Sequence, residues 1–234
     1  MRVLAFDTAT SATAVALADD ADGLLVEARD DPPAGSRPNH ARRLLALIEE
    51  VLERGGAGWA TVDRLAVGVG PGTFTGLRIG VATAHSLSRA RGIPLVGVST
   101  LASLALGARA QAAADGSGQD LAAVLDARRG EVFAAVWAAG ADPSERPARL
   151  GPVALGPEEL ARQWTSGLAV GDGAVRFRAA LERAGLQVPP DDSALHLVSA
   201  GWHCRLARGE APGAPGAVQP SYLRLPDAEI ARRA

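Results

Sequence analysis

Gly70-Pro71-Gly72-Thr73-Phe74-Thr75-Gly76-Leu77-Arg78-Ile79-Gly80 joins a wholly apolar run, Leu65–Val69, to a segment that ends at Arg91 before Gly92. An apolar run without alternation suits a strand buried on both faces. Turn-forming residues follow it, and then a helical segment. This strand–loop–helix unit puts helix N-terminal N–H groups at a sheet edge, a place that suits an anion. The run is neither G-x-G-x-x-G nor G-x-x-x-x-G-K-[ST]. Phe74 stands out among Gly and Thr, either as a buried wedge or as a contact for a partner. Arg78 opposes the helix dipole in the first turn, so a specific carboxylate or phosphate partner is expected. Two readings stay open here: a ligand loop, or a loop for packing and protein contact.

Upstream, Val3–Phe6, Thr13–Ala18 and Leu24–Ala28 read as a β-meander, with an acidic turn at Asp19–Gly23. The first strand ends in Asp7-Thr8-Ala9-Thr10-Ser11. A carboxylate beside hydroxyls and turn N–H groups has the chemistry of a magnesium or phosphate site. The same residues are ordinary in turns. Asp7, Thr8, Thr10 and Ser11 are therefore read as a vestigial or weak nucleotide site. After a Pro-rich loop, Asn39 is a candidate N-cap for a helix over His40–Arg54, with its apolar stripe on Leu44, Leu45, Leu47, Ile48, Val51 and Leu52 and with Arg42 and Arg43 outside it. Pro94–Val98 reads as a strand, and Ser99 or Thr100 caps a helix through Ala114.

Asp115–Asp120 is the expected break between two lobes, residues 1–116 and 117–234. Beyond it, Leu121–Leu125 ends in Asp126-Ala127-Arg128-Arg129-Gly130, and Glu131–Trp137 returns as a hairpin partner. This echoes Asp7 and its hairpin. Gly140–Gly156 reads as linker, followed by a helix (Glu158–Gln163), a strand (Leu168–Val170) and a helix (Val175–Ala184). Ser193 is expected to cap a last long helix, Ala194–Arg208, packed back on the first lobe. Val218–Leu225 is an extended tail. The order gives an α/β chain of mixed sheets covered by helices.

Composition narrows the chemistry. The 234 residues contain 49 alanines and no lysine; all 24 basic residues are arginine. That removes Schiff-base, Walker-lysine and lysine general-base mechanisms. A net charge of −2 gives no argument for non-specific nucleic-acid or membrane binding. One cysteine, Cys204, makes no intrachain disulfide. His40 and His85 lie on separate helices, while His196 and His203 are expected on one helix face, without a third ligand. No catalytic residue, metal ligand or cofactor is assigned. The N-terminal apolar segment is too short for a signal peptide or a membrane span, so a cytoplasmic protein is expected.

The Gly70–Gly80 run closely resembles the bacterial TsaB (YeaZ) family. Matching stretches are Val3–Thr10, Asn39–Leu45, Ile93–Leu101, Asp126–Phe133 and Pro220–Arg224. The resemblance implies a two-lobed actin-like fold of the ribonuclease-H-like, sugar kinase and Hsp70 superfamily. It also implies a non-catalytic dimerisation subunit of the machinery that transfers threonylcarbamoyl to N6 of adenosine 37 in tRNAs reading codons that start with A. Its partners would be a TsaD-type catalytic subunit and a TsaE-type ATPase subunit, with a homodimer when alone and tRNA met only through the complex. The catalytic relative carries a His-x-x-x-His metal pair; here Leu44 follows His40 and Arg89 follows His85 at that spacing. In the family the pairing surface is built from the first two helices, here His40–Arg54 and Gly76–Arg91. The expected interface residues are Leu44, Leu47, Phe74, Leu77, Arg78, Val81, Ala84, His85 and Leu87, with Gly80, Ala82 and Ala84 allowing close helix approach. The competing reading is an active small-molecule kinase or ATPase of the same fold, using Asp7 and the glycine loop.

Overall fold

Alanine blurs the alternation in the sequence, but the sheets make it plain. The computed structural model describes residues 1–19, 23–33, 35–114, 118–213 and 216–224. β1 (Val3–Asp7), β2 (Thr13–Asp19) and β3 (Gly23–Asp30) form the antiparallel meander, whose expected acidic turn falls largely outside the described residues. β4 (Arg64–Gly70) joins β1 in parallel and β5 (Leu95–Ser99) joins β4, giving the order β3-β2-β1-β4-β5. Leu4, Phe6, Val15 and Leu17 face α1 (His40–Arg54) and α2 (Phe74–Arg91). Val3, Ala5, Ala14 and Ala16 face the opposite way, under α7 (Ala200–Gly209). The second face is mostly alanine because α7 lies close to the sheet: the Cys204 thiol is 3.4 Å from the Val3 carbonyl oxygen.

The second sheet repeats this plan. β6 (Leu121–Arg128), β7 (Glu131–Trp137) and β8 (Leu150–Leu155) are antiparallel. β9 (Gly167–Val170) and the short β10 (Leu186–Gln187) extend the other side in parallel, giving the order β10-β9-β6-β7-β8. α3 (Thr100–Ala114) buries Leu101 and Leu104 against Leu121, Ala123 and Phe133. α4 (Pro157–Gln163), α5 (Asp172–Arg176) and α6 (Arg178–Arg183) cover the other face, where Leu160, Ala174 and Leu181 meet Ala122 and Val124.

Three expectations change. The stretch read as linker contains β8, which completes the antiparallel half of the second sheet. The helix expected over Val175–Ala184 is two short helices parted at Phe177. The last helix is also broken: a 3₁₀ turn over Ala194–His196 precedes α7, which Ser199 caps by accepting from the Gly201 N–H. Ser193 caps only the 3₁₀ turn. Among the described residues, no helix is long and apolar enough to cross a membrane.

Candidate functional site

The turn after β1 brings the most chemistry together. Asp7 is 1% exposed. One carboxylate oxygen lies 2.9 Å from Nε2 of His203 on α7 and accepts from the Thr100 hydroxyl of α3 at 2.7 Å. The other accepts from the Ala9 N–H at 2.7 Å. Burial pushes the carboxyl up, but the His203 hydrogen bond and charge, with Thr100 and Ala9, outweigh it and hold Asp7 below its ordinary range. Behind His203, Nδ1 lies 2.8 Å from the Ser103 hydroxyl, which donates to the Ser199 carbonyl.

Aspartate, histidine and serine thus stand in a line, but no substrate reaches them. His203 and Ser103 have no exposed surface, and the serine proton is already committed to a backbone carbonyl. A nucleophile needs an open face toward a reacting carbon. The same burial closes the cation reading, because the Asp7 oxygen that would meet a hydrated metal holds an imidazole instead. A Cβ on Gly68 would lie 1.8 Å from that oxygen, so β4 seals the remaining side. Thr8 is buried and donates to the Gly76 carbonyl at 2.8 Å, Thr10 accepts from the Ala12 N–H, and Ser11 is half-buried beside them.

The glycine run is a packing device against this turn. A Cβ on Gly76 would lie 2.0 Å from the Thr8 carbonyl oxygen, and one on Gly80 would lie 2.4 Å from the Thr8 hydroxyl. The Thr73 N–H donates to the Ala9 carbonyl at 2.7 Å. Gly80 therefore serves contact within this chain, correcting its expected role between partner helices.

Five of the expected interface residues are also spent internally. Leu44, Leu47, Leu77, Val81 and Ala84 are between 0% and 5% exposed, and all but Leu77 pack in the core of the first sheet. Their places as partner contacts are corrected on that ground. The outer side of α1 and α2 carries Leu45, 52% exposed, with Ala41, Ala46, Ala82 and Ser86 also exposed. Phe74, His85 and Leu87 are half-buried and Arg78 is exposed. The C-terminal tail engages three of these. His85 Nε2 meets the Val218 carbonyl at 2.8 Å, and the Phe74 ring lies 5.1 Å from that of Tyr222. Arg78 stacks over Phe74 at 4.1 Å and donates to the Tyr222 hydroxyl at 3.3 Å. The expected carboxylate for Arg78 is not found among the described residues.

The second hairpin is closed in the same manner. Asp126 pairs with Arg176 at 2.8 Å and Arg128 at 3.2 Å. Burial holds the neighbouring Asp172 carboxyl above its ordinary range. His196 is on the 3₁₀ turn, so it shares no helix face with His203; its Nδ1 accepts from the Gly171 N–H. Burial raises the Cys204 thiol to about 12, which leaves it an inert core group. Among the described residues, no group of three or more His, Cys, Asp or Glu is placed to hold a metal. Sequence reading did not join His203, Thr100 and Ser103 to Asp7. The one available signal was a histidine inside an otherwise apolar helical stripe.

Residues 32–141 match the family model described as "TsaD: tRNA N6-adenosine threonylcarbamoyltransferase". Over 138 residues, 59% of this chain, the sequence is 40% identical to the tRNA threonylcarbamoyladenosine biosynthesis protein TsaB of Escherichia coli (strain K12), and the match covers 54% of that protein. The chain spans about half the length of the TsaB relatives it matches. An uncharacterized protein of Mycobacterium tuberculosis is 32% identical over 232 residues, covering 97% of this chain and 93% of the relative. The solved structure of YeaZ from Pseudomonas aeruginosa superposes with a TM-score of 0.74 at 28% identity, over 95% of this chain and 99% of that one. A polyphosphate/ATP-glucomannokinase from Arthrobacter sp. strain KM, 14% identical, superposes at 0.51 over 89% of this chain and 99% of that one. The fold is the actin, sugar-kinase and Hsp70-like one, with mixed sheets covered by helices.

Proposed function

The chain belongs to the TsaB (YeaZ) family, and on that premise we propose that it is the non-catalytic partner subunit in threonylcarbamoyl transfer to N6 of adenosine 37 of tRNA. It pairs with a TsaD-type catalytic subunit in the cytoplasm, a TsaE-type ATPase joins that pair, and tRNA is met through the complex. Residues 1–116 and 117–234 act as two lobes, the first presenting the pairing helices. The contact face is the outer side of α1 and α2, centred on Leu45 and Ala82, with Phe74, Arg78, His85 and Leu87 at its margin. Without the partner, that apolar face favours a homodimer.

The observation that carries this reading is the closed state of Asp7. A kinase or ATPase of this fold needs an acidic group at the reacting centre, open to a substrate hydroxyl or a metal-bound phosphate. Here His203, Thr100 and Ala9 occupy both carboxylate oxygens. Asp7, Thr8, Thr10 and Ser11 are thus the remnant of a nucleotide site. Calorimetry with Mg-ATP tests this, with turnover measured alongside. The expected result is no ATP hydrolysis by the purified chain and no heat that depends on Asp7. Turnover above a protein-free control that Asp7→Ala removes would establish the kinase or ATPase reading.

A further inference from the structure

A cavity of about 510 Å³ opens where the β2–β3 hairpin meets α3, the 3₁₀ turn and α7, and takes no lining residue from α1 or α2. Its size falls within the range of about 300–1,000 Å³ usual for small-molecule sites. The walls are apolar, built chiefly by Leu104 and Ala108 of α3, Leu195 and Trp202. Leu24 and Leu197 also line it while 53% and 47% exposed, two of the few large apolar side chains left so open to solvent. Trp202 lies against Gly107: a Cβ there would be 2.6 Å from the indole nitrogen. That indole N–H has no acceptor among the described residues, so an apolar wall carries an unused donor.

The charges on the wall are unequal. Arg29, Arg205 and Arg208 line it against a single acid, Glu27. Both Glu27 oxygens are committed to the start of α7, accepting from the Ser199 hydroxyl and the Ala200 N–H at 2.8 Å each. Arg29 is held two-fold by Asp31, at 2.9 and 2.7 Å, and also donates to the Val198 carbonyl, so it lends the wall charge but no free donor. Arg205 lies 5.9 Å over the Trp202 ring and reaches Asp142 at 3.2 Å, with side chains 49% and 32% exposed. A pair of that exposure is weak and yields readily to a better-placed anion. We propose that this cavity binds a small aromatic carboxylate. Its ring would rest among Leu104, Leu195 and Trp202, with an acceptor for the indole N–H and its carboxylate toward Arg205.

The probe is 1-naphthoate, titrated into the ¹⁵N-labelled full chain and followed on the tryptophan indole resonances. The chain has four tryptophans, and Trp202→Phe identifies the resonance of interest. The expected result is a saturable shift of Trp202 at submillimolar ligand, with neutral 1-naphthalenemethanol at least tenfold weaker. Ala108→Phe fills the cavity, and Leu197→Asp sets a like charge at its exposed mouth, where folding is little affected. Each is expected to weaken 1-naphthoate at least tenfold. A shift that fails to saturate, equal affinity for the neutral analogue, or unchanged affinity in Leu197→Asp overturns the proposal. Because the cavity lies off α1 and α2, none of these outcomes bears on subunit pairing.

Discussion

A carboxylate with no water around it must find its compensation within the protein. Asp7 finds it in an imidazole, a hydroxyl and a backbone N–H, each within 2.9 Å. Removing one partner of such a buried pair costs about 3–5 kcal/mol. We therefore predict that His203→Ala destabilises the chain by about that much in chemical denaturation. The double variant Asp7→Asn/His203→Gln should recover part of the loss, since no unpaired charge remains. The pH dependence has a fixed sign. The folded Asp7 carboxyl lies below its unfolded value of about 3.9, so the unfolded chain binds the proton first as pH falls. The contribution is complete above about pH 5 and is lost as pH falls through the folded value. Asp7→Asn should flatten that acid limb, and an unchanged limb would contradict the pairing. Asp7 was visible in the sequence as an acid at a strand end. Its partner, 196 positions away, was not, because local pattern carries no information on which distant helix crosses a sheet.

Between α2 and the turn after β1, backbone contact replaces side-chain packing. Gly76→Ala and Gly80→Ala would each force atoms into Thr8, and each is expected to cost about 1–3 kcal/mol, with the greater loss at Gly76, where the obstruction is a carbonyl. Thermal melts decide this, and wild-type stability in both variants would show that the loop is not built for contact. On the outer face, Leu45→Glu should leave the monomer within about 0.5 kcal/mol of the parent while abolishing capture of the TsaD-type subunit. Val81→Glu should instead unfold the chain, since Val81 is only 5% exposed and an unpaired carboxylate would be buried. The limits of α1 were legible because its apolar stripe is leucine-rich and Gly55 follows it. α2 was harder: with Ala82, Ala84 and Gly80 on different sides, periodicity does not separate the sheet face from the free face. β8 was missed because Gly151 and Pro152 give it the composition of a loop.

The two sheets share one strand order about β1 and β6, and each closes its first hairpin with an acid already partnered within the same chain, Asp7 by the His203 imidazole and Asp126 by the Arg176 guanidinium. The sequence echo between these hairpins was short, yet it marked the repeat of the whole plan. The fold is shared with a sugar kinase, and in this chain both acids are taken up by groups of the same chain. The pairing face proposed for it is the outer side of α1 and α2. The most direct measurement is a reconstituted tRNA-modification assay in which each subunit is omitted in turn, with this chain supplied as wild type, Asp7→Asn or Leu45→Glu. This chain alone is expected to modify nothing, its omission to abolish modification, Asp7→Asn assayed at a temperature where the variant is folded to support the full rate, and Leu45→Glu to support none. Modification by the TsaD-type and ATPase subunits without this chain, or full activity with Leu45→Glu, would contradict the proposed role.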